Sequence, residues 1–121
     1  MTDTFITSIK DDGLSYELVI IMPAYNEGEH IAQNLNKATH VLESFHNDFC
    51  IIVVNDGSKD NTEEEIIKVA QNNSRIHYIS YSKNKGKGGA ICEGVKLAKG
   101  EYIAFLDSDL ELPPIMLKDF L

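Results

Sequence analysis

The stretch FCIIVVNDGSKDNT, Phe49 to Thr62, reads as a buried strand that breaks into a turn and opens a helix. Phe49 to Val54 is an unbroken apolar run, the pattern of a strand covered on both faces, as in a parallel sheet. Gly57 permits a tight turn after it. Asp60 followed by Glu63 then signals a helix start near residue 60, with Ile66, Ile67 and Ala70 facing inward and Asn72 and Asn73 ending it.

The same grammar recurs outward in both directions. LVIIMP (Leu18 to Pro23), RIHYISY (Arg75 to Tyr81) and YIAFL (Tyr102 to Leu106) read as further strands. The run from Arg75 alternates Ile76, Tyr78 and Ser80 against His77 and Ile79, which predicts the edge strand. Between the first two strands Ile31, Leu35, Ala38, Leu42 and Phe45 mark one helix face, with Asn26 as the expected cap. A third helix should turn Ala90, Ile91, Gly94, Val95 and Ala98 to one side and stop at Gly100. Pro113 and Pro114 would open a fourth. Strands and helices alternating in this way predict an α/β fold, a Rossmann-like parallel sheet with helices on both faces. No internal repeat, low-complexity tract or linker interrupts it.

At 121 residues the chain is one domain by length, and 43% hydrophobic with 25% charged residues is a globular balance. Its formal net charge of −8 argues against nucleic acid or an anionic membrane surface as partner, so an anionic ligand would need local help. Cys50 and Cys92, without metal or redox spacing, read as reduced thiols of a cytoplasmic protein. The longest apolar run, Leu18 to Met22, is too short to cross a bilayer. Any membrane association would come through segments absent from this chain.

Ligands of parallel sheets bind at the carboxyl ends of the strands, so the residues there matter most. They are Ala24 to Glu27 after the first strand, Asn55 to Asp60 after the second and Asp107 to Glu111 after the fourth. Carboxylates crowded on one edge repel unless a cation or hydrogen-bond donors compensate, which asks for a metal or a polyhydroxyl ligand. Asp107, Asp109 and Glu111 offer hard oxygen ligands suited to Mg²⁺ or Mn²⁺ held jointly with a diphosphate; the plainer reading is a solvated acidic turn capping a helix. Asp56 could accept hydrogen bonds from a ribose or base, whereas Ser58 and Asp60 are expected to build the turn. KNKGKGGA, Lys83 to Ala90, sets a glycine-rich backbone and lysines before a helix, a place to meet phosphate. It is neither a Walker loop nor GxGxxG, and DSDLEL lacks the glycine an EF-hand needs. His30, His40, His46 and His77 show no metal spacing, and no GxSxG elbow occurs.

Taken together, PAYNE (Pro23 to Glu27), NDGSKDNT (Asn55 to Thr62), NKGKGGA (Asn84 to Ala90) and DSDLELPP (Asp107 to Pro114) resemble family 2 glycosyltransferases, most closely the dolichyl-phosphate mannosyl- and glucosyltransferase branch. The resemblance covers 18–121 as the nucleotide-sugar-binding domain and leaves 1–17 as an N-terminal tail. It implies the nucleotide-binding half of a GT-A fold, truncated before the acceptor part, which uses a UDP- or GDP-sugar donor. It implies that Pro23, Tyr25, Glu27, Val54 and Asp56 line the nucleotide pocket and that Asp107 and Ser108 contact the nucleotide sugar. Asp107, Asp109 and Glu111 would address Mg²⁺ or Mn²⁺, with Asp107 and Asp109 as the catalytic pair of the DxD motif. Glu111 departs from the glutamine frequent in that branch, and Asn55 replaces a common aspartate.

The acceptor implied is a polyprenyl phosphate or a saccharide. An ionised phosphate oxygen could attack without a general base, whereas a hydroxyl would want a carboxylate. Three other readings compete: a non-catalytic nucleotide-sugar-binding module, a nucleotidyltransferase, and a receiver-type signalling domain. The last would need an acidic pair after the first strand and a fifth strand. An incomplete sheet also predicts self-association, a homo-oligomer formed through the open edge of the last strand.

Overall fold

The computed structural model describes residues 5–9, 14–44 and 46–107. In chain order the elements are β1 (Ile6–Thr7), β2 (Leu14–Ala24), α1 (Ile31–Glu43), β3 (Phe49–Asp56), α2 (Thr62–Asn72), β4 (Ile76–Tyr81), α3 (Gly86–Leu97) and β5 (Ala98–Phe105). Among these residues the strands form one sheet in the order β1-β4-β3-β2-β5. The pairs β2–β3, β3–β4 and β2–β5 are parallel, and β1 runs antiparallel to β4.

The apolar runs explain the centre of the sheet. β3 is buried along its whole length, and Leu18 to Met22 of β2 have no solvent exposure. Leu18, Ile20, Met22 and Ala24 of β2 face one core with Ile31, Leu35, Ala38 and Leu42 of α1 and Ile66 and Val69 of α2. Odd-numbered Val19 and Ile21 face the other core, with Cys50, Ile52, Val54 and Ala90 of α3. α3 seats closely because Gly94 has no side chain: a Cβ there would lie 2.7 Å from Ile21 Cγ2 and 3.2 Å from Val54 Cγ2.

The connections decide where a ligand can sit. From β2 to β3 to β4 the chain steps one way across the sheet, with α1 and α2 on one face; it then passes back over to β5 on the far side of β2. A right-handed connection running the other way lays its helix on the opposite face, where α3 lies. The order thus reverses between β2 and β5. The crevice outside their carboxyl ends is the topological switch point, the usual ligand position of such sheets.

Several expectations are corrected. β4 is not an edge strand: Ile6 and Thr7, in the stretch expected to be a tail, pair with Ser80 and Ile79, and Ser8 N donates to the Tyr78 carbonyl. The sheet is therefore mixed rather than wholly parallel, and among the described residues its outermost strands are β1 and β5. Ile9 is buried, and β2 begins at Leu14, ahead of the expected Leu18. Gly100 does not end α3, because β5 starts directly at Ala98 and Gly100 pairs with Tyr16. Asn26 does not cap α1, which starts after His30 without a side-chain cap. α2 begins at Thr62 and buries Val69 while Ile67 is only half-buried; Ala70 packs against the core as expected, and Val95 of α3 is exposed. Phe45 and the helix expected at Pro113 lie outside the described residues.

Candidate functional site at the switch point

The loops after β2 and β3 are stitched together. Asn26, at φ +52°, donates its backbone N–H to Ser58 Oγ (2.9 Å) and accepts from Lys59 N at its Oδ1 (2.8 Å). Glu27 N donates to Thr62 Oγ1 (2.9 Å) and Gly28 N to Asp60 Oδ2 (3.1 Å). Asp60 Oδ1 also accepts from Thr62 N (3.0 Å) and from the Thr62 hydroxyl. The Thr62 hydroxyl bond leads the causes that hold the Asp60 carboxyl below its ordinary range. Ser58 and Asp60 thus build the turn, as expected. Asn26, read as a helix cap, instead anchors the PAYNE loop to its neighbour.

Asp56 is buried at the end of β3, and its Oδ1 accepts two hydrogen bonds, from Tyr81 Oη (2.6 Å) and Lys85 N (2.8 Å). Asn84 Nδ2 adds a bond to the Asp56 carbonyl (3.0 Å). Gly57 makes this closeness possible: its φ is +71°, and a Cβ would meet the Asn84 backbone nitrogen at 2.6 Å and the Ser82 carbonyl oxygen at 2.9 Å. Asp56 therefore ties the loop after β4 to β3 through at least one oxygen, a role the sequence did not signal. Lys85 joins that clamp from the other side. Its ammonium lies 4.9 Å from the Tyr81 ring centroid, 4.8 Å from that of Phe5 and 3.6 Å from Glu93 Oε1.

Beside Asp56, buried Asn55 donates from Nδ2 to Ser80 Oγ (2.9 Å), which donates to Glu63 Oε2 (3.1 Å). An aspartate at 55 would bring a second acceptor-only carboxylate to compete with Glu63 for one hydroxyl. The amide suits this network better, although its Oδ1 is buried without a hydrogen-bond partner.

Of the residues expected to line a nucleotide pocket, Pro23 and Glu27 are half-buried and Tyr25 is 46% exposed at the mouth of the crevice. Val54 is wholly buried beneath α3 and pairs with Pro23 on one side and Ile79 on the other, so it presents no surface to a ligand and instead supports the pocket from within the sheet. Leu106 N donates to the Ile21 carbonyl (3.0 Å), carrying the β2–β5 ladder to the residue before Asp107. Asp107 thus stands on the β5 side of the switch point and the PAYNE loop on the β2 side. The Asp107 carboxylate is ion-paired with the ammonium of Lys87 in the first turn of α3, which joins the glycine-rich stretch to the acidic one. Ser108, Asp109 and Glu111 lie outside the described residues. Among the described residues no three His, Cys, Asp or Glu side chains cluster as metal ligands. Asp107 nonetheless fits a cation: it is a hard-oxygen donor at the crevice and already draws a positive group.

No helix among the described residues is long and apolar enough to cross a membrane. The sequence profile described as Glycosyl transferase family 2 matches residues 19–121. CsbB of Bacillus subtilis (strain 168), which carries a glycosyltransferase name, is 38% identical over 102 residues, 84% of this chain and 31% of CsbB. Among solved structures, S. aureus TarS 1-349 in complex with UDP-GlcNAc is 29% identical at a TM-score of 0.69, over 86% of this chain and 30% of that one. The mannosyltransferase PcManGT from Pyrobaculum calidifontis, in complex with GDP-Man and Mn²⁺, shares the fold at a TM-score of 0.69 and 21% identity, over 84% of this chain and 30% of that one. The chain spans about a third of the length of the relatives it matches. With the profile covering all but its first residues, and with its strand ends gathered at one crevice, the chain belongs to glycosyl transferase family 2.

Proposed function

We propose that this chain is the donor-binding part of a metal-dependent glycosyltransferase that moves a hexose from a UDP- or GDP-sugar to a polyprenyl phosphate or saccharide acceptor. The observation that carries this reading is the switch point itself, with the PAYNE loop on one side, Asp107 on the other and the glycine-rich start of α3 ion-paired to Asp107. TarS and PcManGT support it, since the one was solved with UDP-GlcNAc and the other with GDP-Man and Mn²⁺.

In this reading exposed Tyr25 offers a ring face to the base, with Pro23, Glu27 and Asp56 beside it. Backbone N–H groups at the start of α3 and the Lys87 ammonium face the diphosphate, where partial positive charge favours anions. Ser108 and Asp107 contact the sugar nucleotide. Asp107, Asp109 and Glu111 would hold a divalent ion, which would supply neutralisation of the charge that grows on the departing diphosphate. In a chain of net charge −8 that compensation also lets an anionic donor approach.

Calorimetric titration with UDP and with GDP, each with and without Mn²⁺, tests the proposal. The expected result is Mn²⁺-dependent binding of one nucleotide that is lost in Asp109→Ala. Binding that persists unchanged in that variant, or that ignores the metal, would overturn it.

A further inference from the structure

Lys87 sits in the first turn of α3, one residue after Gly86, which has φ +81°, and its ammonium lies against the Asp107 carboxylate. The Lys87 side chain is 64% exposed and that of Asp107 only 26%. The carboxylate is thus the more enclosed partner, while its counter-ion extends on a long stem at the rim. Exposed ion pairs of this kind contribute between zero and about 1 kcal/mol, enough to compete with another cation but too little to lock the site. The alternative destination for the ammonium is close at hand, because the ion pair already holds it at the N-terminal end of α3, where the helix's partial positive charge favours a phosphate even though the Gly86 N–H is turned to Asn84 Oδ1 (3.2 Å).

We propose that Lys87 is an internal counter-cation for Asp107 that yields to a divalent metal and then pairs with the donor's diphosphate. The lysine thereby makes metal and nucleotide bind as one event. This rests on the donor-site reading above and adds a specific coupling residue to it. Without nucleotide, a divalent ion must displace the ammonium and leave it beside a new positive charge. With nucleotide, the displaced ammonium gains a diphosphate, so the penalty becomes a gain. Lys87 therefore weakens metal binding alone and strengthens nucleotide binding in the presence of metal, and the two effects have opposite signs.

The test uses the 121-residue chain and two titrations, Mn²⁺ alone followed by electron paramagnetic resonance, and UDP or GDP at saturating Mn²⁺ followed by calorimetry. Lys87→Gln should tighten Mn²⁺ alone about two- to fivefold, the range that up to 1 kcal/mol allows, and weaken the nucleotide by a similar factor or more. Lys87→Arg should restore the wild-type signs. Lys68→Gln, which removes a positive charge from α2 where Lys68 pairs with Glu65, separates a local effect from a change of net charge and should move neither titration. Mn²⁺ binding to Lys87→Gln that is unchanged or weaker than wild type would overturn the inference, as would equal tightening in Lys68→Gln. The wild-type titrations test the donor-site reading on their own: a wild-type chain that binds neither metal nor nucleotide removes that reading and this inference with it. A wild-type chain that binds both, beside an inert Lys87→Gln, removes only the inference.

Discussion

Gly57→Ala should cost far more stability than Gly86→Ala, although both glycines have a positive φ, +71° and +81°. An alanine in the left-handed region is strained by about 1–2 kcal/mol, and the reduced freedom of the unfolded chain returns about 0.4–1 of that. Gly86 has nothing within 4 Å of the added Cβ, so its variant should lose only the remainder, about 1 kcal/mol. At Gly57 the Cβ meets backbone atoms of Ser82 and Asn84, three of them at 2.6 to 3.0 Å, and backbone cannot rotate aside as a side-chain tip can. The loop must retreat, which stretches the Asn84 Nδ2 to Asp56 carbonyl bond and the Lys85 N to Asp56 Oδ1 bond. Weakening one neutral and one charge-assisted hydrogen bond adds about 2 kcal/mol, for a total near 3. For a domain of this size that is roughly a 12 °C fall in Tm, against about 4 °C for Gly86→Ala. Urea unfolding of the two variants, compared at unchanged m-value, measures the difference. Equal losses would show that the contact with the β4 loop carries no energy and would refute the reasoning.

Other consequences follow from the same geometry. Asp60→Ala removes the acceptor for Gly28 N, Thr62 N and the Thr62 hydroxyl and should cost about 1–2 kcal/mol, a figure kept low because the carboxylate is exposed. Since the Asp60 carboxyl is held below its ordinary range, its contribution is full above about pH 4 and is lost as pH falls through the depressed value, so the variant should flatten the acid limb of a stability–pH curve. His77 is pushed the other way in charge: burial lowers its pKa and its Nε2 is buried without a hydrogen-bond partner. Stability should therefore be complete above about pH 6.5 and fall below it as the unfolded chain takes up the proton first, a slope that His77→Gln removes in thermal melts between pH 5 and 8. Among the described residues β5 has no partner on its far side, and Ile103 and Phe105, 40% and 50% exposed, lie on one face of it beside that open edge, so the chain should self-associate with rising concentration. Phe105→Glu should return it to monomer, and light scattering that finds the wild type monomeric at high concentration would refute the claim.

The centre of the fold was legible because burial on both faces leaves a mark on composition. Phe49 to Val54 and Leu18 to Met22 could be nothing but interior strands, and the 3.6-residue spacing of Ile31, Leu35, Ala38 and Leu42 turned α1 toward them. The edges were not legible, because alternation reports which faces are covered and not which backbone groups are paired. His77 and Tyr78 are half-buried, which reads as an edge, yet β4 has a partner on each side. That partner is the two-residue strand Ile6–Thr7, too short to leave any period in the sequence. Gly100 misled for a related reason: a glycine after an apolar face looks like a helix end, whereas the chain turns from α3 into β5 at Ala98 with no intervening loop.

In the site, the positions were readable and the pairings were not. Asp56 and Asp107 look alike in sequence, each an acidic residue at the carboxyl end of an apolar strand. Their surroundings divide them. Asp56 is buried and satisfied by a phenol and a backbone N–H, donors that are fixed in place, so one of its oxygens serves the loop after β4. Asp107 is partly open and balanced by a lysine that can leave. A carboxylate held by immovable neutral donors positions the chain around it, whereas one held by a movable cation can exchange that cation for another. The two aspartates that chain position makes equivalent are thus assigned different work by the side chains that reach them from β4 and from the first turn of α3.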